Sequence, residues 1–203
     1  MILENFDTPT KFRELIDLPK VILFPGHSPE LTGARFQGLY EHILAVGLCV
    51  LVEKELIKLN IPVSYLVVPG DTKSKYLNEK VRIVNEVYKH DQNIIAIDIH
   101  FDSPPDLIDL SPHGSHCIHY PGSEKGEKLA ESIQKRLWTM FPGRAKQTDA
   151  RDDLRFLKKT RCPAILIETC FITNDNDTTK YLRKKKVVAR AIADGIMSYA
   201  KSC

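Results

Sequence analysis

Two histidines and two glutamates stand where side chains of these types could bind a metal ion and move a proton. His27 follows directly after a short apolar run, His100 ends a second run, and Glu168 ends a third. Glu41 lies beyond the loop that carries His27, close to the start of a helix-like stretch. Two imidazoles and one carboxylate make a three-ligand set that suits zinc and leaves a fourth position for water.

A second carboxylate is needed for hydrolysis at such a site. Zinc lowers the pKa of water from about 15.7 to near 7, and a carboxylate that is not a ligand must then take and return the proton. Glu168 is the candidate, because an acid that follows the apolar residues Ala-Ile-Leu-Ile pays a large burial cost unless it is paired or functional.

Each of these residues also has a plain structural interpretation. A single histidine after a strand is usually a hydrogen-bonded structural residue, and Glu41 by itself resembles a surface glutamate of a helix. In open α/β sheets, however, ligands bind beyond the carboxyl ends of the strands. Three polar residues at three strand ends are therefore expected to converge on one region.

The elements that position these residues follow from the alternation of short apolar runs with longer helical patterns. This alternation predicts an α/β fold, a single domain with a mostly parallel twisted sheet and helices on both faces. Strands are predicted at 20–24, 61–68, 93–100, 115–120 and 162–169, and helices at 37–59, 74–89, 123–140 and 176–200.

Two helices have a predicted apolar face, and one segment is a predicted surface loop. The first helix is expected to bury Leu39, Ile43, Val46, Val50 and Leu51, and the second Leu77, Val81, Val84 and Val87. Proline and glycine cluster in 103–114, the predicted loop. Gly26 is expected to provide the tight turn that directs His27 inward, and Gly33 to free the loop that leads to Glu41.

The composition is that of an ordinary globular chain with one large domain. The 203 residues are 43% hydrophobic and 27% charged, with a net charge of +3. This charge is too small to indicate nucleic-acid binding, and the basic cluster 183–186 is interpreted as a solvated helix end. No apolar run reaches the roughly 18–20 residues of a transmembrane helix, and 43–52 is interpreted as part of a buried helix.

The chain is expected to form one catalytic domain over residues 1–203, with an N-terminal extension at 1–19 and a core at about 20–200. The first residues do not resemble a secretory signal, so synthesis in the cytoplasm without a signal peptide is predicted. The five cysteines form no CxxC pair and are expected to be reduced; they are Cys49, Cys117, Cys162, Cys170 and Cys203.

An ordered set of motifs resembles the zinc-dependent N-acetylmuramoyl-L-alanine amidases of the amidase-3 type. The motifs that carry this resemblance are PGHSPELTGA (25–34), LYEHI (39–43), KVRIVNEV (80–87), IAIDIH (95–100), SEKGEKLAESIQKRL (123–137), AILIETCFITN (164–174) and VARAIADGIMSYA (188–200). They keep the family's order from about residue 20 to the C-terminus.

The resemblance implies that His27, Glu41 and His100 bind Zn²⁺ and that Glu168 is the catalytic acid/base. It also implies a peptidoglycan substrate, cut at the amide bond between N-acetylmuramic acid and the L-alanine of the stem peptide. Three stretches depart from the family pattern: Ser28-Pro29-Glu30, Phe101-Asp102-Ser103 and Cys170. The first two are expected to line the cleft and to affect substrate preference.

Other functions remain open at this point. Carboxypeptidases and N-formyl-amino-acid amidohydrolases use a similar zinc ligand set, and a non-catalytic wall-binding protein could retain only the fold. His113, His116 and His119 could suggest a second metal site, although a loop and strand origin is favoured. The setting predicted is the bacterial cell wall, reached by phage-type release or as a domain of a secreted bacterial enzyme.

Overall fold

The computed structural model describes residues 18–105, 109–144 and 147–202, and it places strands along the apolar runs predicted from sequence. The strands are β1 Lys20–Pro25, β2 Arg35–Phe36, β3 Leu39–Tyr40, β4 Val63–Tyr65, β5 Ile94–Asp102, β6 His116–His119, β7 Thr148–Ala150 and β8 Ala164–Phe171. The helices are α1 Glu41–Lys58, α2 Lys73–His90, α3 Glu124–Leu137, α4 Arg155–Lys159 and α5 Asp175–Ala200.

The main sheet has the strand order β4-β1-β5-β8-β6-β7. Its pairs are parallel except for β6 with β8, which is antiparallel. The central strands β1, β5 and β8 are buried along almost their whole length, as parallel strands covered on both faces are. The predicted α/β fold with a mostly parallel sheet is confirmed.

Two apolar layers fill the space between the sheet and its helices. Helices α1, α3 and α5 contribute to the larger layer, which includes Leu48, Ile133 and Ile192. Helices α2 and α4 contribute to the smaller layer on the other face, which includes Val84 and Phe156. Side chains alternate between the faces along each strand, so each central strand supplies both layers.

Side-chain caps start three of the helices. Thr72 accepts a hydrogen bond from the backbone N–H of Lys75 at the start of α2, and Ser123 caps α3 in the same way. Asn174, the last residue of the AILIETCFITN stretch, accepts a hydrogen bond from Asp177 N and caps α5. These residues place the helix starts within one residue of the predicted positions.

The predicted extent and buried face of the first helix are wrong. Residues 35–40 form the small β2-β3 hairpin, and α1 begins only at Glu41. Its buried apolar residues are Ala45, Leu48, Cys49, Val52 and Leu56, whereas Ile43 is 60% exposed. Because 43–52 is apolar on every side, helical spacing within it could not indicate which face turns inward. The second helix does bury Val84, with Leu77, Val81 and Val87 packed beside it.

Several other expectations are refined by the structure. Strand β7 and helix α4 were not predicted, because both are short and polar. Strand β4 is shorter than the predicted 61–68, and α3 ends at Leu137 rather than at 140. The basic cluster 183–186 is exposed as expected, but it lies within α5, at a kink at Lys184, rather than at a helix end.

The remaining sequence expectations concern cysteines, membranes and chain ends. The four cysteines among the described residues are buried and free, whereas Cys203 lies outside those residues. Among the described helices, none is long and apolar enough to cross a membrane. Residues 1–17 and 106–108 lie outside the description, so the domain boundaries and part of the predicted 103–114 loop stay predictions.

Candidate metal centre

The carboxyl edge of the sheet brings together the candidate residues from β1, β5 and β8. His27 lies two residues beyond the end of β1, and His100 of β5 is the register partner of Glu168 in β8. The two strands continue past these residues, to Asp102 and Phe171, so neither ends where the sequence predicted. Glu168 and His100 face the same side of the sheet because paired residues of parallel strands share a face.

The carboxylate of Glu41 contacts both histidines. It is the first residue of α1 and is only 4% exposed. Its Oε2 atom lies 2.8 Å from His27 Nε2, and its Oε1 atom lies 2.8 Å from His100 Nδ1. Within the described part of the chain, these three residues form the one group of His, Cys, Asp or Glu side chains placed to hold a metal ion, with ligand atoms within 4.8 Å of one another.

The turn that carries His27 differs from the one expected. His27 itself adopts a left-handed backbone conformation, with φ of 63°, whereas Gly26 does not. A left-handed conformation in a residue with a side chain is a form of strain that clusters at functional sites. Gly26 has a different role: a Cβ atom there would lie 2.5 Å from His100 Nδ1 and would overlap the His100 ring.

The charged groups of the site shift one another's pKa values. Burial opposes the ionisation of Glu41, but hydrogen bonds from His100 and His27 outweigh it and lower the pKa of this carboxyl. Burial also disfavours the charged form of His100, yet the carboxylates of Asp98 and Glu41 raise its pKa to about 10. A metal ion that binds here must therefore displace a proton from His100.

Glu168 has the properties of a proton carrier. Its side chain is partly exposed to the cleft, but its Oε2 atom is buried and has no hydrogen-bond partner. Burial raises the pKa of Glu168 to about 7, and the charge of Glu41 acts in the same direction. A carboxyl group with a pKa near 7 can both accept and release a proton at neutral pH.

The three side chains are placed to act together as ligands of one metal ion. The ligand set of two imidazoles and one carboxylate is of the kind that zinc prefers. The site opens into a cleft of about 610 Å³, lined by His27, Glu41, His100, Glu168 and neighbouring residues of β5, α2 and α4. A substrate in this cleft would reach the proposed ligands and Glu168 together.

Gly33 has no side chain, and this leaves room for the contact between Glu41 and His27. A Cβ atom at Gly33 would overlap both the Glu41 Oε2 atom and the His27 ring, at a backbone φ of +72°. We expect Gly33→Ala to destabilise the fold by about 1–2 kcal/mol, as left-handed backbone in an L-residue does, and also to weaken metal binding. Chemical denaturation and metal titration measure the two effects.

Gly38→Ala is the matched control. Gly38 also has a positive φ, of +79°, but an added Cβ atom would meet no atom within 4 Å. We expect Gly38→Ala to show a similar backbone cost of about 1–2 kcal/mol with unchanged metal affinity. Equal metal affinities for the two variants would contradict the role assigned to Gly33.

Comparison with known proteins gives the family. Residues 21–198 match Amidase_3, N-acetylmuramoyl-L-alanine amidase. The chain belongs to this family. A curated relative, the N-acetylmuramoyl-L-alanine amidase LytC of Bacillus subtilis (strain 168), is 28% identical to it over 185 residues. The match covers 88% of this chain and 35% of LytC, so this chain spans about a third of the length of LytC.

Solved structures show the same fold. The catalytic domain of the CD27L endolysin targeting Clostridia Difficile superposes with a TM-score of 0.76 at 22% identity, over 89% of this chain and 97% of the endolysin domain. The CwlD amidase from Clostridioides difficile, solved in complex with the GerS lipoprotein, superposes with a TM-score of 0.78 at 18% identity, over 91% of this chain and 100% of CwlD.

The first two departures from the family pattern, both expected to line the cleft, have different positions. Phe101, Asp102 and Ser103 line the cleft, as expected. Ser28 is instead buried and donates a hydrogen bond to Gly70 O, and Glu30 accepts one from Gly70 N. Ser28 and Glu30 therefore hold the His27 loop against the segment before α2, and the expectation that this stretch lines the cleft is wrong.

The three clustered histidines show no sign of a metal site of their own. His113 is exposed and its Nδ1 atom faces the carbonyl of Ser111. His116 and His119 both lie on β6, three residues apart, so their side chains leave opposite faces of the strand. His113 therefore belongs to a loop and the other two histidines to a strand, whereas the absence of a second metal site stays a prediction.

Two residues of the site were not identified from sequence. Asp98 and Lys80 form an ion pair beside His100, with a Nζ–Oδ1 distance of 2.8 Å. The sequence did hold one signal, since Asp98 is a charged residue inside an apolar strand, two positions from His100 and on its face. Nothing local indicated Lys80, because its partner lies 18 residues away.

Proposed function

We propose that this chain is a zinc-dependent peptidoglycan hydrolase that cleaves the amide bond between N-acetylmuramic acid and the L-alanine of the stem peptide. One observation carries the proposal. His27, Glu41 and His100 meet at a cleft that also holds Glu168, whose Oε2 atom has no hydrogen-bond partner among the described residues.

In this proposal His27, Glu41 and His100 would hold the zinc ion. When bound, zinc supplies Lewis acidity, which activates water and polarises the carbonyl group of the scissile amide. The protein contributes the fixed positions of the three ligands. Glu41 is held by the backbone N–H groups of Ala34 and Phe101 at 3.0 and 3.3 Å, so its carboxylate cannot rotate away from the histidines without losing these bonds.

Glu168 would carry the proton through the reaction. It accepts a proton from the attacking water as the new C–O bond forms, and it then passes that proton to the nitrogen of alanine as the C–N bond breaks. An amide nitrogen is a poor leaving group unless it is protonated, so both halves of this transfer are needed. The pKa of about 7 suits both directions.

The family supports the substrate class. LytC and the proteins with similar folds include N-acetylmuramoyl-L-alanine amidases and an endolysin catalytic domain. We infer that this chain, too, acts on the bacterial cell wall. Phage-type release, cytoplasmic synthesis and the limits of the catalytic domain stay predictions.

Digestion of purified sacculi tests the proposal. We expect the zinc-loaded protein to release intact stem peptides that begin with L-alanine, identified by mass. A chelator should abolish the release, and added zinc should restore it. Release of single amino acids would indicate a carboxypeptidase instead, and binding to sacculi without any product would indicate a non-catalytic wall-binding protein.

A further inference from the structure

We propose that Lys80 and Asp98 form a buried positioning pair for the metal centre. In this proposal Asp98 accepts a hydrogen bond from His100 Nε2 and so presents His100 Nδ1 to the metal, while Lys80 fixes Asp98 and the end of β1. The inference rests on the proposed zinc site, and it assigns a role to two residues outside the proposed ligand set.

The pair is fully enclosed. The side chains of Lys80 and Asp98 are 0% and 1% exposed. Lys80 Nζ lies 2.8 and 3.1 Å from the two carboxylate oxygens of Asp98 and donates a third hydrogen bond to Pro25 O at 2.7 Å. These three bonds use every proton of the ammonium group. The rings of Phe24 and Tyr76 flank Nζ at 5.7 and 5.5 Å, a distance at which they favour a cation.

The pair connects both histidine-bearing strand ends. Asp98 lies in β5, two residues before His100, and Pro25 ends β1, two residues before His27. The single ammonium group of Lys80, on α2, therefore bonds to the strand segments that deliver two of the three proposed ligands. Movement of either strand end would break a hydrogen bond to the same buried charge.

Asp98 also faces the ring of His100. Its Oδ2 atom lies 3.4 Å from His100 Nε2, while the other ring nitrogen, Nδ1, faces Glu41. Histidines that bind metals usually donate their other ring N–H to a carboxylate or carbonyl, which fixes the tautomer and the orientation of the ring. Asp98 is placed to do this, and it would leave the lone pair on Nδ1 for the metal.

A purely structural role does not explain the pair well. Burying two charges carries a large desolvation cost, and apolar residues of similar volume often stabilise a fold equally or better. Among the ion pairs of the described ranges, this is the one in which both side chains are at most 1% exposed. It lies against His100 rather than elsewhere in the core, which is the position that a role in holding the metal ligand requires.

Exchange of both charges for apolar groups tests the proposal. Either single substitution would leave one buried charge without its partner, so the test variant is the double change Lys80→Met with Asp98→Leu. We expect its zinc dissociation constant to rise about 10–100-fold, which is the usual cost of losing a residue that hydrogen-bonds to a metal ligand. Its circular dichroism spectrum should stay that of the wild type. Lys80→Met with Asp98→Asn keeps an acceptor oxygen and should recover part of the affinity.

The control removes an ion pair from the exposed side of the same helix. Glu79 and Arg82 are paired on α2 at 2.6 Å, and both are well exposed. Glu79→Gln with Arg82→Met should leave the zinc dissociation constant unchanged. If the folded Lys80→Met, Asp98→Leu variant binds zinc as tightly as the wild type, the pair has no positioning role and the proposal is overturned.

A second measurement does not depend on the folding of a variant. In the zinc-loaded wild-type protein, the nitrogen NMR shifts of His100 report which ring nitrogen carries the proton. A proton on Nε2 supports the proposal, and a proton on Nδ1 overturns it. Failure of the wild-type protein to bind zinc at all would instead refute the proposed function, so the two failures are distinguishable.

Discussion

Replacement of Glu168 by glutamine is expected to lower the rate of stem-peptide release from sacculi by about 10²–10⁴-fold, the usual contribution of a general acid/base. The amide of glutamine has nearly the same shape, but it cannot accept the proton of water or return it to the leaving nitrogen. The measurement is the initial rate at saturating sacculi, together with the zinc content of the purified protein. Zinc content should match that of the wild type.

The fold should tolerate this substitution. Burial raises the pKa of Glu168 to about 7, which means that the charged form is disfavoured in the folded protein. A neutral amide avoids that cost, so we expect Glu168→Gln to unfold at the wild-type temperature or above it. Glu131, which is exposed on α3, offers the control: Glu131→Gln should retain full activity. Wild-type activity in Glu168→Gln would show that another group carries the proton.

Replacement of Glu41 by glutamine is expected to weaken zinc binding by more than about 100-fold. Loss of a residue that only supports a metal ligand costs up to about 100-fold in metal affinity, and loss of a ligand itself should cost more. The carboxylate is the only negative ligand in the proposed set, and an amide oxygen is a much poorer donor to zinc. Activity on sacculi should fall in parallel and should return in part at high zinc concentration. Competition with a chelator of known affinity measures the zinc dissociation constant.

The same substitution should also destabilise the metal-free fold at neutral pH. Hydrogen bonds from His100 and His27 lower the pKa of Glu41 despite its burial, so the ionised carboxylate stabilises the folded state above its unfolded pKa of about 4.5. Glutamine loses this contribution. Glu55, on the same helix, pairs with Lys58 and Arg190, and Glu55→Gln is the control. Equal zinc affinity for Glu41→Gln and Glu55→Gln would exclude Glu41 as a ligand.

The sequence indicated which residues would meet at the carboxyl edge of the sheet, whereas their role as a zinc site stays a prediction. His27, His100 and Glu168 were found because each follows or ends an apolar run, and parallel strands bring such positions to one edge of the sheet. Glu41 needed the resemblance to a family, since a glutamate at the start of a helix is common. The structure shows how Glu41 reaches the histidines: the β2-β3 hairpin returns the chain, so that α1 begins against the His27 loop.

The features that the sequence did not predict depend on tertiary contacts. The buried face of α1 was wrong because Ile43 and its neighbours are apolar all around the helix, and only packing on the sheet decides which side is covered. The left-handed conformation of His27 has no local signal, because it occurs in a residue other than glycine. Lys80 was missed because a lysine in a helix is normally exposed, and only the fold places it beneath Asp98.

Anomalous diffraction at the zinc absorption edge, from crystals of the zinc-loaded protein, tests the central claim most directly. We expect a peak about 2.0–2.2 Å from His27 Nε2, a Glu41 oxygen and His100 Nδ1, with Glu168 in the same cleft but not bound to the metal. A peak at another place on the chain, or a zinc ion held by Glu168 in place of Glu41, would contradict it.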